Sequence, residues 1–464
     1  MTHPGVSLDF TLRLVAQEVK SAGLRDVIAA IGVGGKAGGV VCHGVDSAAV
    51  DHAIGVFALR LDVQPEYGVI FLYHDHFNMV VSGKEIFALF VLKHFNCNFV
   101  HFVFVYLSIV LLFECTADPA ALRPLLAAVD AAAPLAWFEQ LGLYTRTDEA
   151  GRVYPYSNQA ADVLALLELH LQRHTVQLRT GCTVSTLRQS KGGYAVQFAN
   201  PEGDMESLRA DAVICAMGGA AGPQFGTDGF GTRFAADCGG QMRPLYPCLT
   251  ALQCARPNKS LAGIRAKAAA RLLDGDRVLA EEMGEVQFTD YGLSGICIMQ
   301  LSGLLAPGRR PRDPVVELDL FPELSEMDLT RLLARHAIQT ASDTLAGFWT
   351  GLLNVKLGYA LWEAANMPNN RSVKQMQPLA HAAKHWRFEG LTPCGWRQAQ
   401  TTGGGLALTE VEPTFQFKGC PGLYFVGETL DCAGSCGGFN LHWAFGSGLA
   451  AGRDAAKHLC SRKR

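Results

Sequence analysis

The chain has 464 residues, enough for two or three domains with sizeable cores. Its formal net charge of −3 offers no basic field, which argues against a nucleic-acid partner. With 49% hydrophobic and 18% charged residues, and 49 glycines against a usual share of about 7%, it fits a compact cofactor enzyme and not a disordered or interaction-only protein.

Residues 1–114 form an atypical N-terminal segment, rich in Val, Phe and His and with little clean periodicity after Val69. The run from Gly32 through Gly34 to Ala37 formally satisfies G-x-G-x-x-A after an apolar stretch at 27–31. Gly38, Gly39 and Gly44 follow where a helix should begin, at about 1 kcal/mol each, and Asp46, Asp51 and Asp62 are poorly spaced for a ribose contact. Residues 99–113 are almost wholly apolar but fall short of the roughly 20 needed to span a bilayer. Their β-branched and aromatic content reads as buried strand, so a membrane segment is not expected. His74, Asp75 and His76, with His94 and His101, suggest imidazole ligands, yet no third or fourth ligand stands at a typical spacing and no metal is assigned. The 14 cysteines mostly sit singly in apolar contexts, and residues 1–9 lack a secretory pattern. Reduced thiols and a cytoplasmic location are expected.

From about Cys115 the pattern becomes regular. Residues 119–141 read as one helix ending at Gly142, with Leu122, Leu125, Leu126, Val129, Trp137 and Leu141 in an apolar stripe. A second helix covers 160–171, begun near Ser157. Stretches at 176–178, 184–187 and 194–198 alternate like a small antiparallel meander, and 211–217 is a buried strand entering Gly218 and Gly219. The block at 246–398 differs. Its first half holds strand-like pieces at 296–301 and 315–320, and 325–365 is mostly helical, including 329–338 and 345–357. This order predicts an insert domain at 246–398 between two parts of a nucleotide-binding domain, 115–245 and 399–464.

Residues 422–448 carry most of the chemistry. An apolar strand at 423–426 leads to Gly427 and Glu428, then a Gly/Cys/Ser loop, then Gly437 and Gly438 opening an apolar helix. Glycines at a strand-to-helix turn let a large ligand reach the backbone, and free N–H groups at the helix start favour an electron-rich or anionic group. Gly218 with Gly219, and Gly403 with Gly404, are two further glycine approaches; Glu428 and Asp431 could accept bonds from polyol hydroxyls. Each has a plainer reading taken singly, as a strand end, a hairpin or bulge, or a solvated loop. Cys432 and Cys436 could form a redox pair or simply pack beside the cradle.

With these residues in view, 115–452 resembles the BaiN-like, aminoacetone-oxidase-type family of FAD-dependent flavoproteins. The matching positions are Gly151 to Pro155 with Ser157 and Ala160, Ala216 to Gly219, Gly226 to Gly229, Thr289 with Gly292 to Gly295, Ala399 to Gly404 with Glu410 and Val411, and the 422–448 segment. The resemblance implies an α/β fold, a two-segment FAD-binding Rossmann-type domain with an inserted β-barrel and helical domain. It implies that Gly427, Glu428 and Asp431 lie along the ribityl and phosphate part of FAD. Gly437, Gly438, Asn440 and Leu441 would lie at the helix facing the isoalloxazine ring. The activity implied is FAD-dependent oxidation or reduction of a small organic substrate, an amine or an unsaturated carbonyl compound, with NAD(P)H as a candidate electron donor. No proton donor stands out; Tyr154, His442 and Glu428 are candidates by position.

The chain departs from that family at its start. The expected strand and GxGxxG turn gripping the pyrophosphate are absent in recognisable form. Residues 1–100 instead bear a faint resemblance to the thiamine-diphosphate subunit of 2-oxoacid:ferredoxin oxidoreductases, through His3 to Val6, Val33, Gly34 and 69–73 before Asp75. The Gly-Asp-Gly needed for the diphosphate is missing there. Two readings therefore stand beside the flavoenzyme: a chimeric or misframed product that binds no cofactor, and a fragment of a thiamine-diphosphate-dependent oxidoreductase.

Overall fold

The computed structural model describes residues 69–72, 79–82, 104–105 and 118–461, apart from breaks at 131, 150, 175, 309, 341–343 and 369–375. The glycine-rich run at 32–37, the histidines at 74, 76, 94 and 101, the thiamine-type positions and most of the apolar 99–113 run lie outside the described residues.

Strands β1 (Val69–Leu72) and β2 (Met79–Ser82) pair antiparallel, and β3 (Phe104–Val105) follows. The stretch predicted as one helix at 119–141 is two: α1 (Pro119–Val129) and α2 (Ala133–Gln140). Asp118 caps α1 by accepting from the Ala121 N–H at 3.0 Å. Asp130 ends it with φ +49, a left-handed turn that no continuing helix allows. By length and composition, 119–140 is apolar enough to cross a membrane. Here, however, Leu122, Leu125, Leu126, Val129, Trp137 and Phe138 are buried in the protein's own core.

Next come β4 (Thr145–Thr147), β5 (Arg152–Pro155), α3 (Ala160–Arg173), β6 (Gln177–Arg179), β7 (Thr183–Ser190), β8 (Gly193–Ala199), β9 (Met205–Ala210) and β10 (Ala212–Cys215). Gln159, not Ser157, occupies the position before α3. The meander is β7-β8-β9, whereas β6 joins a different sheet beside β2, with Leu178 opposite Val80. A three-residue strand carries too little pattern to reveal its partner.

The helix α4 (Phe230–Asp237) and strand β11 (Met242–Cys248) lead into a seven-stranded antiparallel sheet. Its strands in chain order are β12 (Leu252–Gln253), β13 (Arg265–Asp274), β14 (Arg277–Phe288), β15 (Gly292–Ser294), β16 (Pro314–Asp319), β17 (Trp386–Phe388) and β18 (Thr392–Pro393). The strand-like 296–301 is instead helix α5 (Ile296–Ser302). Its buried positions Cys297, Ile298 and Leu301 follow a helical spacing, and Gly295 turns the chain into it with φ +102. Helices α6 (Glu326–Thr340), α7 (Leu345–Trp349), α8 (Val355–Ala364) and α9 (Met376–Lys384) pack against this sheet. The expected single helix at 345–357 breaks because Asn354 caps a new one, its side chain accepting from the Lys356 and Leu357 N–H groups.

The chain then returns through β19 (Thr401–Leu406), antiparallel to β11, and β20 (Leu423–Phe425) to the long helix α10 (Phe439–Ser461). The main sheet has the order β20-β10-β1-β2-β6, and β20, β10 and β1 are parallel. Strands β10 and β20 are buried at every residue: β10 lies inside the sheet, and the outer edge of β20 is covered by residues 415–417, where the Phe425 N–H donates to the Phe415 carbonyl at 3.2 Å. Helix α10 packs over the sheet and against α1 and α2. A Cβ at Gly446 would sit 2.2 Å from Val129 Cγ1, so only glycine admits that approach. The Phe138 and Phe445 rings meet edge to face at 4.8 Å. One apolar core joins residues from 122–235 and 406–459, and a separate one holds residues from 252–391.

Candidate functional site

Strands β10 and β20 end side by side, with Cys215 opposite Phe425, so Gly218 and Gly219 leave the sheet next to Gly427 and Glu428. Strand β19 delivers Thr402 to the same point. Gly219 is where the three segments touch: a Cβ there would lie 2.3 Å from Thr402 Oγ1 and 2.6 Å from Glu428 Oε1. Thr402 fastens them. Its Oγ1 accepts from the Ala220 and Ala221 N–H groups at 2.7 and 3.0 Å, and its own N–H donates to Glu428 Oε1 at 2.8 Å.

Further bonds lock the junction to its surroundings. Thr429 Oγ1 donates to the Gly218 carbonyl at 3.3 Å, and the Thr227 hydroxyl donates to the Gly219 carbonyl. Helix α10 ties in through Trp443 Nε1, which donates to the Gly427 carbonyl at 3.0 Å, and Ser447 Oγ, which accepts from the Gly427 N–H at 3.0 Å. Buried bonds of this kind cost about 1–3 kcal/mol when one partner is left unmatched, so they fix the backbone closely.

The residues singled out from the sequence divide by what they touch. Gly218 has φ +69 and, among the described residues, no atom within 4 Å of where its Cβ would be, an open face at the end of a parallel strand. Gly403 and Gly404 approach the protein itself: the Tyr246 ring and the Pro244 carbonyl fill their Cβ positions at 2.1 and 2.0 Å. Asp431 is buried, its N–H donating to the Leu406 carbonyl at 2.9 Å. Gly437 and Gly438, with φ +120 and +95, form the left-handed entry to α10. Asn440 closes the preceding loop on itself, accepting from the Gly434 N–H at 2.7 Å and donating to the Gly434 carbonyl at 2.9 Å. Leu441 packs against the first core. Cys432 is buried in that core, while Cys436 packs beside Leu249 and receives Gln300 as the acceptor for its N–H at 2.6 Å. Thr402, Thr227, Thr429, Trp443 and Ser447 fall inside the segments marked from the sequence but received no role there, because nothing local distinguishes a bonded side chain from an idle one.

Electrostatics narrows the proton-donor candidates. Burial pushes the Glu428 carboxyl above its ordinary range, although the Thr402 and Thr401 hydrogen bonds act against it. Burial holds His442 down to about 4 despite the nearby Asp130, so it is neutral at pH 7. The Tyr154 hydroxyl donates to Asp148 Oδ2 at 3.3 Å on its own hairpin, and burial raises its pKa.

An FAD-sized ligand can be tested against this frame. The open face at Gly218, next to Gly427 and Glu428, would suit the ribityl and phosphate part, and the amide-rich start of α10 the flavin ring. The pyrophosphate end is different. Only Tyr73 to Asn78, without a glycine, separate β1 from the antiparallel β2, whereas a crossover helix to a parallel strand takes a dozen or more residues. The described residues therefore supply no dinucleotide turn after β1. Between α5, Leu249 and Ser435 lies a cavity of about 30 Å³, room for a water and not for an organic substrate.

A family model described as the HI0933-like protein Rossmann domain matches residues 96–454. The 3-dehydro-bile acid delta(4,6)-reductase of Clostridium scindens is 35% identical over 348 residues, 73% of this chain and 84% of the relative. The ribosomal RNA dihydrouridine synthase of Escherichia coli is 26% identical over 307 residues, 64% of this chain and 72% of the relative. Among solved structures, the open conformation of a flavocytochrome c3 fumarate reductase aligns with a TM-score of 0.39 at 16% identity, over 76% of this chain and 68% of that one.

Proposed function

Since the chain belongs to the HI0933-like family of FAD-dependent Rossmann oxidoreductases, we propose that it reduces a carbon–carbon double bond conjugated to a carbonyl in a small organic substrate. That class is the chemistry common to a delta(4,6)-reductase of a 3-dehydro bile acid and a dihydrouridine synthase, the two relatives reported above. The −3 charge favours an uncharged or apolar small molecule over RNA. NAD(P)H is the proposed electron donor. No disulfide joins two of the described cysteines, which fits the cytoplasmic setting proposed here.

The observation that carries this reading is the convergence of Gly219, Thr402 and Glu428 at the parallel strand ends. FAD, when bound, would supply the hydride chemistry. The chain's own residues hold and orient. Thr402 and Glu428 set the backbone at Gly218 and Gly427, along which the ribityl and phosphate part of FAD is proposed to run. Asp431 closes the strand side of that path, beside the Gly403 and Gly404 segment. The start of α10 at Gly437 and Gly438, with Asn440 and Leu441, would favour negative charge on the reduced ring through its aligned amides. His442, neutral at pH 7, brings no charge to the substrate, and Glu428, its carboxyl raised by burial, is held in place by the Thr402 N–H.

One observation favours a second reading, a folded chain that holds no cofactor: β1 turns back as a hairpin where the pyrophosphate turn belongs. The same experiment decides. Purified protein is reconstituted with FAD, its visible spectrum recorded and the released cofactor identified. NADH or NADPH is then added without oxygen, followed by a conjugated steroid ketone. A yellow protein bleached by the nucleotide and recoloured by the enone supports the reductase. A colourless chain that FAD cannot reconstitute overturns it.

A further inference from the structure

Among the described residues outside the glycine junction, one cluster of ligand-type side chains stands at the edge of the seven-stranded sheet. His381 on α9 and His385, just past its end, are one helical turn apart, and the His385 N–H still bonds the His381 carbonyl at 2.9 Å. Their rings lie 4.7 Å apart, centroid to centroid, on the same face. Glu326, in the first turn of α6, reaches across to both. Its Oε2 is 3.0 Å from His381 Nδ1 and 3.9 Å from His385 Nε2. One donor atom from each residue falls within a span of 4.8 Å.

The surrounding bonds orient all three toward one point. Buried Glu317 is acceptor-only, so His385 Nδ1 carries its proton and donates to Glu317 Oε1 at 3.1 Å. That leaves the His385 Nε2 lone pair facing Glu326. A carboxylate fixing the far nitrogen of an imidazole is the arrangement that supports histidine metal ligands. Gln377 Nε2 donates to the other Glu326 oxygen, Oε1, at 3.2 Å, which aims Oε2 at the imidazoles. The neighbouring cations are engaged elsewhere, Arg387 with Glu317 and Lys384 with Asp319.

We propose that Glu326, His381 and His385 bind a zinc-class divalent cation, with water in the fourth position, and so brace α6 against α9. Two imidazoles and one carboxylate suit zinc, and tetrahedral bonds of about 2.0–2.1 Å put ligand atoms roughly 3.3 Å apart, a value that the two carboxylate–imidazole separations of 3.0 and 3.9 Å bracket. His381 Nε2 takes the ring proton when Nδ1 coordinates, and the outward face of the cluster admits the water. The site is independent of the flavin chemistry proposed above.

The test is titration of the intact, cofactor-loaded chain with Zn²⁺ by calorimetry, with metal analysis after dialysis. The parent chain is expected to bind one Zn²⁺ more than the His381→Ala/His385→Ala double variant, and to gain thermal stability from it that the variant does not. Glu317→Gln is expected to weaken that one equivalent about tenfold without removing its ligands. His381 is exposed and His385 partly so, and Glu317→Gln is an isosteric change at a buried position, so circular dichroism of the variants should match the parent. Equal Zn²⁺ stoichiometry in parent and double variant, or none in the parent, overturns the proposal.

Discussion

The Thr402 N–H donates to Glu428 Oε1 at 2.8 Å, while Thr402 Oγ1 accepts from two successive amides beyond Gly219. A single threonine thus joins strand β19, the end of β10 and the turn after β20. Glu428, expected from the sequence to meet a ligand hydroxyl, has one carboxylate oxygen committed to protein backbone.

Thr402→Val removes the acceptor for the Ala220 and Ala221 amides. A loss of about 1–3 kcal/mol in unfolding free energy is expected, with weaker retention of FAD, whereas Thr402→Ser should keep most of both. Denaturant unfolding and FAD titration of the two variants provide the comparison. Equal behaviour of Val and Ser at this position would refute the role assigned to the hydroxyl.

Gly219→Ala and Gly218→Ala should separate packing from ligand access. The first places a methyl 2.3 Å from Thr402 Oγ1, so the flavin-free chain itself should lose stability. The second meets no neighbour among the described residues and bears the strain of φ +69, about 1–2 kcal/mol. Its larger effect should be on FAD affinity. Melting temperatures with and without FAD distinguish the two patterns.

The raised pKa of Glu428 has a pH signature. Below its unfolded value near 4.5 the carboxyl is protonated in both states and its contribution is fully present; as pH rises through the higher folded value, stability is lost. Glu428→Gln should therefore lose less stability than the parent over that interval. Unfolding curves across it, taken on both proteins, would show parallel slopes if the assignment fails.

His442 works in the opposite direction. Its folded pKa of about 4 lies below the ordinary 6.5, so the unfolded chain takes up a proton first as pH falls. The stability given by the neutral, buried ring is present above 6.5 and lost toward 4, by roughly 3 kcal/mol over the window. His442→Gln should flatten that acid limb, read from the pH dependence of thermal unfolding.

Asn440→Ala deletes both amide bonds to Gly434 and frees the loop before α10. FAD should dissociate faster while the melting temperature of the flavin-free chain changes little, since the change leaves the buried Cys432 and Ala433 packing in place. Stopped-flow release of the cofactor measures this; unchanged release would place Asn440 outside the cradle's support.

The sequence by itself determined the family and the Rossmann-type fold, because 422–448 states a buried strand, a glycine turn and an apolar helix in consecutive residues. It also marked Gly219 and Glu428, each on its own segment, as approaches to a ligand. Local pattern suffices where the chemistry is contiguous in the chain. Tertiary structure alone decided that Thr402, 183 positions from Gly219, is the residue that joins them. It alone showed that Gly403 and Gly404 meet Tyr246 and Pro244, that 296–301 is a helix, and that β6 leaves the meander for the main sheet. Each of these depends on which distant segment supplies the partner. Hydrophobic period and glycine content report the conformation a segment can adopt, and a hydrogen bond between remote strands leaves no mark on either.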